Sequence, residues 1–208
     1  MPHKDHYAAV LLKKRVAMAQ PFWPRLSQEL ALTLHNSSLA RSFNTFKVLD
    51  EIAYMEAPAV ARPTSTKPAT KFRGAILGRF WHKHFTDARF LGHNLQNQWW
   101  GPYATKNQTL SATIREAMEA LGDFEGDSYS EAQAHQVAGR IAHDIVIGGM
   151  EKRATRKAMT GEWIIYYPHD GMNYYLGLAH HEEQKDERAL YDRLKSECAW
   201  EFPFAFEE

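Results

Sequence analysis

Apolar residues in the first half of the chain recur at helical spacing. Leu26, Leu30 and Leu34 are four residues apart, which predicts that they share one face of a helix beginning near Pro24. Residues 6–19 are rich in good helix formers and are followed by a proline, which marks the end of an earlier helix. The N-terminal part of the chain is therefore predicted to be a helical body.

The pattern changes from helical to strand-like in the last quarter of the chain. Two runs rich in β-branched and aromatic residues, 162–167 and 173–179, flank an Asp-Gly step at 170–171. Glycine supplies the positive φ angle that a hairpin turn requires. Residues 182–200 again have a helical pattern. The expected fold class is α+β, with a predominantly helical body, a C-terminal β-hairpin and a helix after it.

Residues 57–70 separate two regions of different composition. They contain three prolines and no large aromatic residue, so they predict an extended linker or a long loop. The expected organisation is an N-terminal helical region over 1–56, the proline-rich segment over 57–70, and an α+β domain over 71–208. That domain either stands apart from 1–56 or forms one domain with it.

The net charge of zero is the sum of two opposite halves. Residues 1–110 carry 15 basic and 6 acidic side chains, whereas residues 111–208 carry 10 basic and 19 acidic side chains. The 44% hydrophobic content excludes a disordered chain and a collagen. A single cysteine, Cys198, and apolar runs of about five residues favour a cytoplasmic protein with no membrane partner.

The segment 57–106 concentrates cations and aromatic rings. It has eight lysines and arginines against one acid, Asp87, interleaved with phenylalanines, tryptophans and a tyrosine. Phosphates require cations and unstacked bases require flat rings, so this composition is typical of a surface that binds nucleic acid, RNA more than DNA. The candidate nucleic-acid-binding residues are Arg73, Arg79, Lys83, Arg89, Trp99 and Trp100. Alternatively, the rings form a core and the cations face the acidic half.

Within that segment, His82 and His84 lie beside cations. Imidazoles can move the protons of a metal-independent RNA cleavage while cations hold the phosphate, and this chemistry needs no cofactor. His180 is a third candidate, because alternation predicts that it shares a strand face with Tyr174, Leu176 and Leu178. The sequence thus predicts a small ribonuclease with His82, His84 and His180 as catalytic residues.

Two ribonuclease groups share features with this sequence. Arg79 and His84 have the Arg-x4-His spacing that resembles the motif of the HEPN ribonucleases. A basic helical part followed by a strand-rich end with tyrosine and histidine is similar in layout to ribonuclease toxins of the barnase and RelE type. These resemblances imply RNA cleavage as the activity.

Two other functions remain open at this point. A chain with strongly asymmetric charge can be a non-enzymatic interaction protein, an inhibitor or adaptor that recognises a protein partner or a second copy of itself. A third hypothesis is a metal-dependent hydrolase, in which His82, His84 and His93 hold the ion and leave one position open.

Overall fold

The computed structural model describes residues 3–100, 110–119 and 131–207. The chain forms two compact units. One unit, named here the sheet unit, comprises Met1–Asp87 and Thr160–Glu208; the other, the helical unit, comprises Ala88–Met159.

The described residues of the sheet unit form four strands and four α-helices. Its N-terminal helices precede the strands, and its last helix follows them, with single 3₁₀ turns at Trp23–Arg25, His181–Lys185 and Pro203–Ala205. The elements are α1 (His3–Val16), α2 (Gln28–Ala40), α3 (Thr45–Glu56), β1 (Thr70–Lys71), β2 (Trp81–Phe85), β3 (Glu162–His169), β4 (Met172–Ala179) and α8 (Glu187–Cys198). No helix or strand lies between α3 and β1.

The helical unit starts with a 3₁₀ turn at Ala88–Phe90 and continues with α4 (Leu91–Trp99), α5 (Leu110–Glu119), α6 (Glu131–His143) and α7 (Gly149–Thr155). A π-helical turn, Asp144–Gly148, joins α6 to α7. Among the described residues of both units, no helix combines the length and the apolar character needed to cross a membrane.

The predicted fold class is confirmed. The structure is mixed and mostly helical, and the C-terminal hairpin is followed by a helix. The hairpin turn consists of Asp170 and Gly171, whose φ angles are 48° and 75°. Two successive positive φ angles match the right-handed twist of the strands, which is why an Asp-Gly step closes the pair between His169 and Met172.

The hairpin belongs to a larger sheet that the sequence did not predict. Four antiparallel strands lie in the order β1-β2-β3-β4, and β2 pairs with β3 from Trp81 opposite Tyr166 to Phe85 opposite Glu162. The sequence of β2, Trp-His-Lys-His-Phe, has polar residues on both faces. It therefore lacks the alternation of apolar and polar residues that marks a half-buried strand.

Both faces of the sheet are covered. One face packs against α8 and the C-terminal residues, and its buried residues include Phe72, Trp163, Ile165, Leu176 and Leu194. The opposite face packs against α2 and α3, and its buried residues include Leu30, Ile52, Phe85, Ile164 and Tyr175. We refer to these as the α8 face and the α3 face.

A bulge in β4 changes which side chains reach each face. Ile165 pairs with Gly177 and Tyr166 pairs with Tyr175, so Leu176 is an extra residue with no partner in β3. Leu176 packs on the α8 face, whereas Leu178 packs on the α3 face. The sequence prediction that Tyr174, Leu176, Leu178 and His180 share one face is therefore wrong, because one extra residue reverses the alternation beyond it.

A buried ion pair fixes the central residue of β2 to α3. Lys83 Nζ lies 3.1 Å from Glu51 Oε2, and the two side chains are only 3% and 5% exposed. Lys83 Nζ also donates to Thr66 Oγ1 at 2.6 Å and to the carbonyl oxygen of Lys67 at 2.7 Å. Thr66 in turn donates to Glu51 Oε1 at 2.8 Å. This network attaches the proline-rich segment to α3 and β2.

Removing one partner of this pair should strongly destabilise the protein. The substitution Lys83→Met leaves the Glu51 carboxylate buried without its counter-charge, so we expect a loss of about 3–5 kcal/mol in the free energy of unfolding. Urea denaturation measures this loss. The double variant Glu51→Leu/Lys83→Met should regain much of it, because no uncompensated charge remains.

The matched control is Arg188→Met, which breaks an exposed pair with Asp192 on α8. A loss in Lys83→Met no larger than in this control would contradict a structural role for the buried pair.

Candidate functional site

The alternation of β2 places two predicted catalytic histidines on the same face. His82 and His84 lie opposite Ile165 and Trp163, and both of those residues belong to the α8 face. The two imidazole centroids are 5.7 Å apart, and each ring packs against the indole of Trp163, at 4.7 Å and 6.1 Å. His82 also contacts Phe72 at 4.5 Å. The histidines thus form a cluster with aromatic walls.

A third histidine, His181, completes the cluster. Its ring stacks on His84 with a centroid separation of 5.1 Å and lies 4.3 Å from Trp163. His84 Nδ1 and His181 Nε2 lie 3.2 Å and 2.7 Å from the same carbonyl oxygen, that of Gly161. Because a carbonyl oxygen only accepts, both of these ring nitrogens carry a hydrogen. We call His82, His84 and His181 the histidine cluster.

Burial keeps two members of the histidine cluster neutral. The pKa of His82 falls to about 4 and that of His84 to about 3; burial is the main cause, and the neighbouring His181 and Lys67 add to both shifts. The hydrogen bond between His84 and Gly161 opposes this shift only in part. At neutral pH both imidazoles therefore retain a lone pair that can accept a proton or a hydrogen bond.

The cluster also holds polar atoms that no other group satisfies. Within the part of the chain that the structure describes, His82 Nδ1 and Trp163 Nε1 are buried and have no hydrogen-bond partner. Unsatisfied buried polar atoms cost free energy, and they are rare enough that each needs a reason. Here His82 Nδ1 and the indole N–H of Trp163 lie in one cluster. A polar ligand could form hydrogen bonds with both.

The structure does not bring His180 into this cluster. His180 Nδ1 lies 2.9 Å from Glu162 Oε1, and its side chain is 67% exposed. Glu162 pairs with Phe85, a residue of the α3 face, so His180 belongs to the face opposite His82 and His84. The bulge at Leu176 explains why the sequence prediction chose His180. Simple alternation that ignores the bulge places His180 on the α8 face, whereas the extra residue places His181 there instead.

Two of the predicted phosphate-binding residues are engaged inside the sheet unit. Lys83 is buried in its pair with Glu51 on the α3 face, away from the histidine cluster. The guanidinium of Arg79 donates to the carbonyl oxygen of Glu207 and lies 5.6 Å from the ring centroid of Tyr167. Neither side chain is therefore part of an exposed phosphate-binding surface.

The remaining candidates, apart from Arg73, belong to the helical unit. Trp99 is 4% exposed and donates to the carbonyl oxygen of Ile145 at 3.0 Å, so it is a core residue. Trp100 is 64% exposed, Arg89 lies over the ring of Phe90, and His93 Nε2 is 2.9 Å from Asn97 Nδ2. Across the described ranges, no group of three or more histidine, cysteine or acidic residues has an arrangement that could hold a metal ion.

Exposed cations follow the outer edge of the sheet. Lys67, Lys71 and Arg73 are all exposed, and Lys71 belongs to the edge strand β1, where it pairs with the half-buried Trp81. Lys67 is close enough to affect the pKa values of His82 and His84. We name this group the basic edge. Lys67 adjoins the histidine cluster, whereas Lys71 lies on the α3 face with its partner Trp81. Lys71 and Arg73 have no ion-pair partner among the described residues.

The chain matches no protein-family model, no curated protein sequence and no solved structure.

The buried histidines should make the protein less stable in mild acid. An unfolded imidazole binds a proton as the pH falls through about 6.5, whereas His84 in the folded protein remains neutral down to a pKa of about 3. Above pH 6.5 His84 is neutral in both states and does not change the free energy of unfolding with pH. Below pH 6.5 the unfolded state gains a proton that the folded state does not, so the free energy of unfolding falls progressively. Between pH 7.5 and 5.5, His84→Gln should reduce the fall in unfolding free energy by about 1 kcal/mol.

Urea denaturation across this pH range makes the measurement. Above pH 7.5 both folded and unfolded imidazoles are neutral, so the profiles of the two proteins should be parallel and serve as the internal control. Equal slopes between pH 7.5 and 5.5 would show that His84 is not held neutral by burial.

Proposed function

We propose that this protein binds single-stranded RNA on the basic edge and cleaves it with the histidine cluster. The observation that carries the proposal is the adjacency of the two features: the charge of Lys67 acts on His82 and His84, so a phosphate held by Lys67 would lie near their imidazoles. Lys71 and Arg73 extend the cationic surface along β1.

The proposed reaction is transfer of the phosphorus from its 5′-oxygen to the neighbouring 2′-oxygen. The 2′-hydroxyl oxygen bonds to phosphorus and its proton passes to a neutral imidazole. The bond to the 5′-oxygen breaks as that oxygen receives a proton from His181, which regains one from water. His82 suits the accepting role because burial lowers its pKa to about 4, which leaves it unprotonated at neutral pH. His181 is the exposed member of the cluster and can exchange protons with water.

RNA binding should depend on the basic edge and on salt. We expect Lys71→Glu/Arg73→Glu to weaken binding of a labelled single-stranded RNA at least about tenfold at 50 mM salt and to reduce the salt slope by about 1.4. The matched control is Lys14→Glu/Arg15→Glu, which makes the same change of charge at exposed positions on α1. Fluorescence anisotropy over a series of salt concentrations measures both quantities.

Two results would contradict RNA binding at this surface. One is no binding by the unmodified protein at 50 mM salt, where phosphate contacts are strongest; this result favours the interaction protein as the alternative. The other is an equal loss of affinity in both double variants, which would indicate attraction by overall charge.

Cleavage should require His181 and a 2′-hydroxyl. In the presence of EDTA, we expect His181→Ala to slow cleavage of a labelled RNA by about 100-fold or more, the usual contribution of a general acid or base. His180→Ala, its neighbour in the chain, should retain the rate because His180 lies on the α3 face. Gel analysis of the products over time gives both rates.

An RNA with deoxyribose at the cleaved position provides the substrate control. It should bind but not react, because the attacking hydroxyl is missing. Cleavage of this substrate, or an unchanged rate in His181→Ala, would exclude the proposed chemistry.

A further inference from the structure

A cleft of about 470 Å³ lies in the sheet unit, away from the residues that form the histidine cluster. Three segments line it: the turn after α1, the last turns of α3 and the start of the proline-rich segment. Its volume is within the range of about 300–1,000 Å³ that is typical of small-molecule sites. Most of the lining is apolar and includes Pro21, Phe22, Ala53 and Val60.

One charged residue of the cleft is already neutralised. The carboxylate of Glu56 accepts two hydrogen bonds from the guanidinium of Arg25, one of them at 2.8 Å, and a third from the hydroxyl of Tyr175 at 2.5 Å. Burial alone would raise the pKa of Glu56, but the hydrogen bonds from Arg25 and Tyr175 hold it below its usual value. Glu56 is therefore ionised and fully engaged by the protein itself.

Two other charged residues of the cleft are not engaged in this way. Asp50 is half-buried on α3, and Arg62 is an exposed residue of the segment after it. Among the described residues, neither side chain has an ion-pair or hydrogen-bond partner. The cleft thus presents one unpaired negative group and one unpaired positive group on a mostly apolar wall.

This pattern of charge selects the ligand. A simple anion would be repelled by Asp50, and a simple cation would be repelled by Arg62. An uncharged apolar molecule would displace water from both charged groups without replacing the hydrogen bonds of that water. A molecule with an ammonium group, a carboxylate and an apolar body satisfies every part of the lining. We propose that the cleft binds a small apolar zwitterion, an α-amino acid or dipeptide, with its ammonium group at Asp50 and its carboxylate at Arg62.

Thermal unfolding with defined probes tests the proposal. The probes are L-leucine, L-phenylalanine and leucyl-phenylalanine, each compared with its N-acetylated and its C-amidated form. At ten times its dissociation constant, a bound zwitterion should raise the Tm by about 3–6 °C. We expect at least one zwitterion to do so. We expect each of its two blocked forms to bind at least about tenfold more weakly than the free zwitterion.

Two substitutions assign the ends of the ligand. In Asp50→Asn the N-acetylated probe should bind as tightly as the free zwitterion, while the C-amidated probe should still bind more weakly. In Arg62→Gln the C-amidated probe should bind as tightly as the free zwitterion, while the N-acetylated probe should still bind more weakly. Asp170→Asn and Arg15→Gln are the controls, because both residues are exposed and lie outside the cleft. Unligated Tm values for all four variants show that each is folded.

Each outcome either supports or contradicts binding of a zwitterion in the cleft. Loss of each discrimination in the matching variant, with both controls unchanged, supports the proposal. It is overturned if no zwitterion raises the Tm of the unmodified protein, if blocked and free probes act equally, or if Asp50→Asn and Arg62→Gln behave like the controls. RNA binding is not involved in any of these measurements, so they stand independently of the proposed ribonuclease.

Discussion

The backbone at Gly161 determines the arrangement of the candidate site. A Cβ atom at this position would lie 1.9 Å from the carbonyl oxygen of Phe85, so only glycine allows the chain to pass this close to the end of β2. The carbonyl oxygen of Gly161 lies within hydrogen-bond distance of both His84 and His181. His84 lies on β2, whereas His181 follows β4. This shared acceptor fixes one hydrogen on each ring and holds the histidine cluster together.

The elements that sequence alone could predict are those with a regular apolar pattern or a specific turn residue. The α2 helix, the hairpin and the Asp-Gly turn all belong to this group. The β2 strand was missed because His82, Lys83 and His84 place polar groups on both of its faces, and tertiary contacts alone explain their burial. His181 was missed because Leu176 forms a bulge, which has no signature in a single sequence and reverses the face of every later residue.

The net charge of zero has a partly structural explanation. Lys13 pairs with the half-buried Glu201 and Lys83 pairs with the buried Glu51, so some cations of the N-terminal half serve the fold. Lys71 and Arg73 of the basic edge are different, since neither has an ion-pair partner among the described residues. The same positively charged segment therefore supplies a structural lysine on the α3 face of the sheet and exposed cations at its edge.

The central claim is that two neutral histidines, His82 and His84, adjoin a surface that we propose binds RNA. Nitrogen-15 NMR of the histidine rings at pH 7, with and without single-stranded RNA, tests this claim most directly. We predict that His82 and His84 are neutral, that His84 carries its hydrogen on Nδ1, and that RNA shifts the ring resonances of His181 but not those of His180. A charged His84, or RNA binding that leaves the His181 resonances unchanged, would contradict the account.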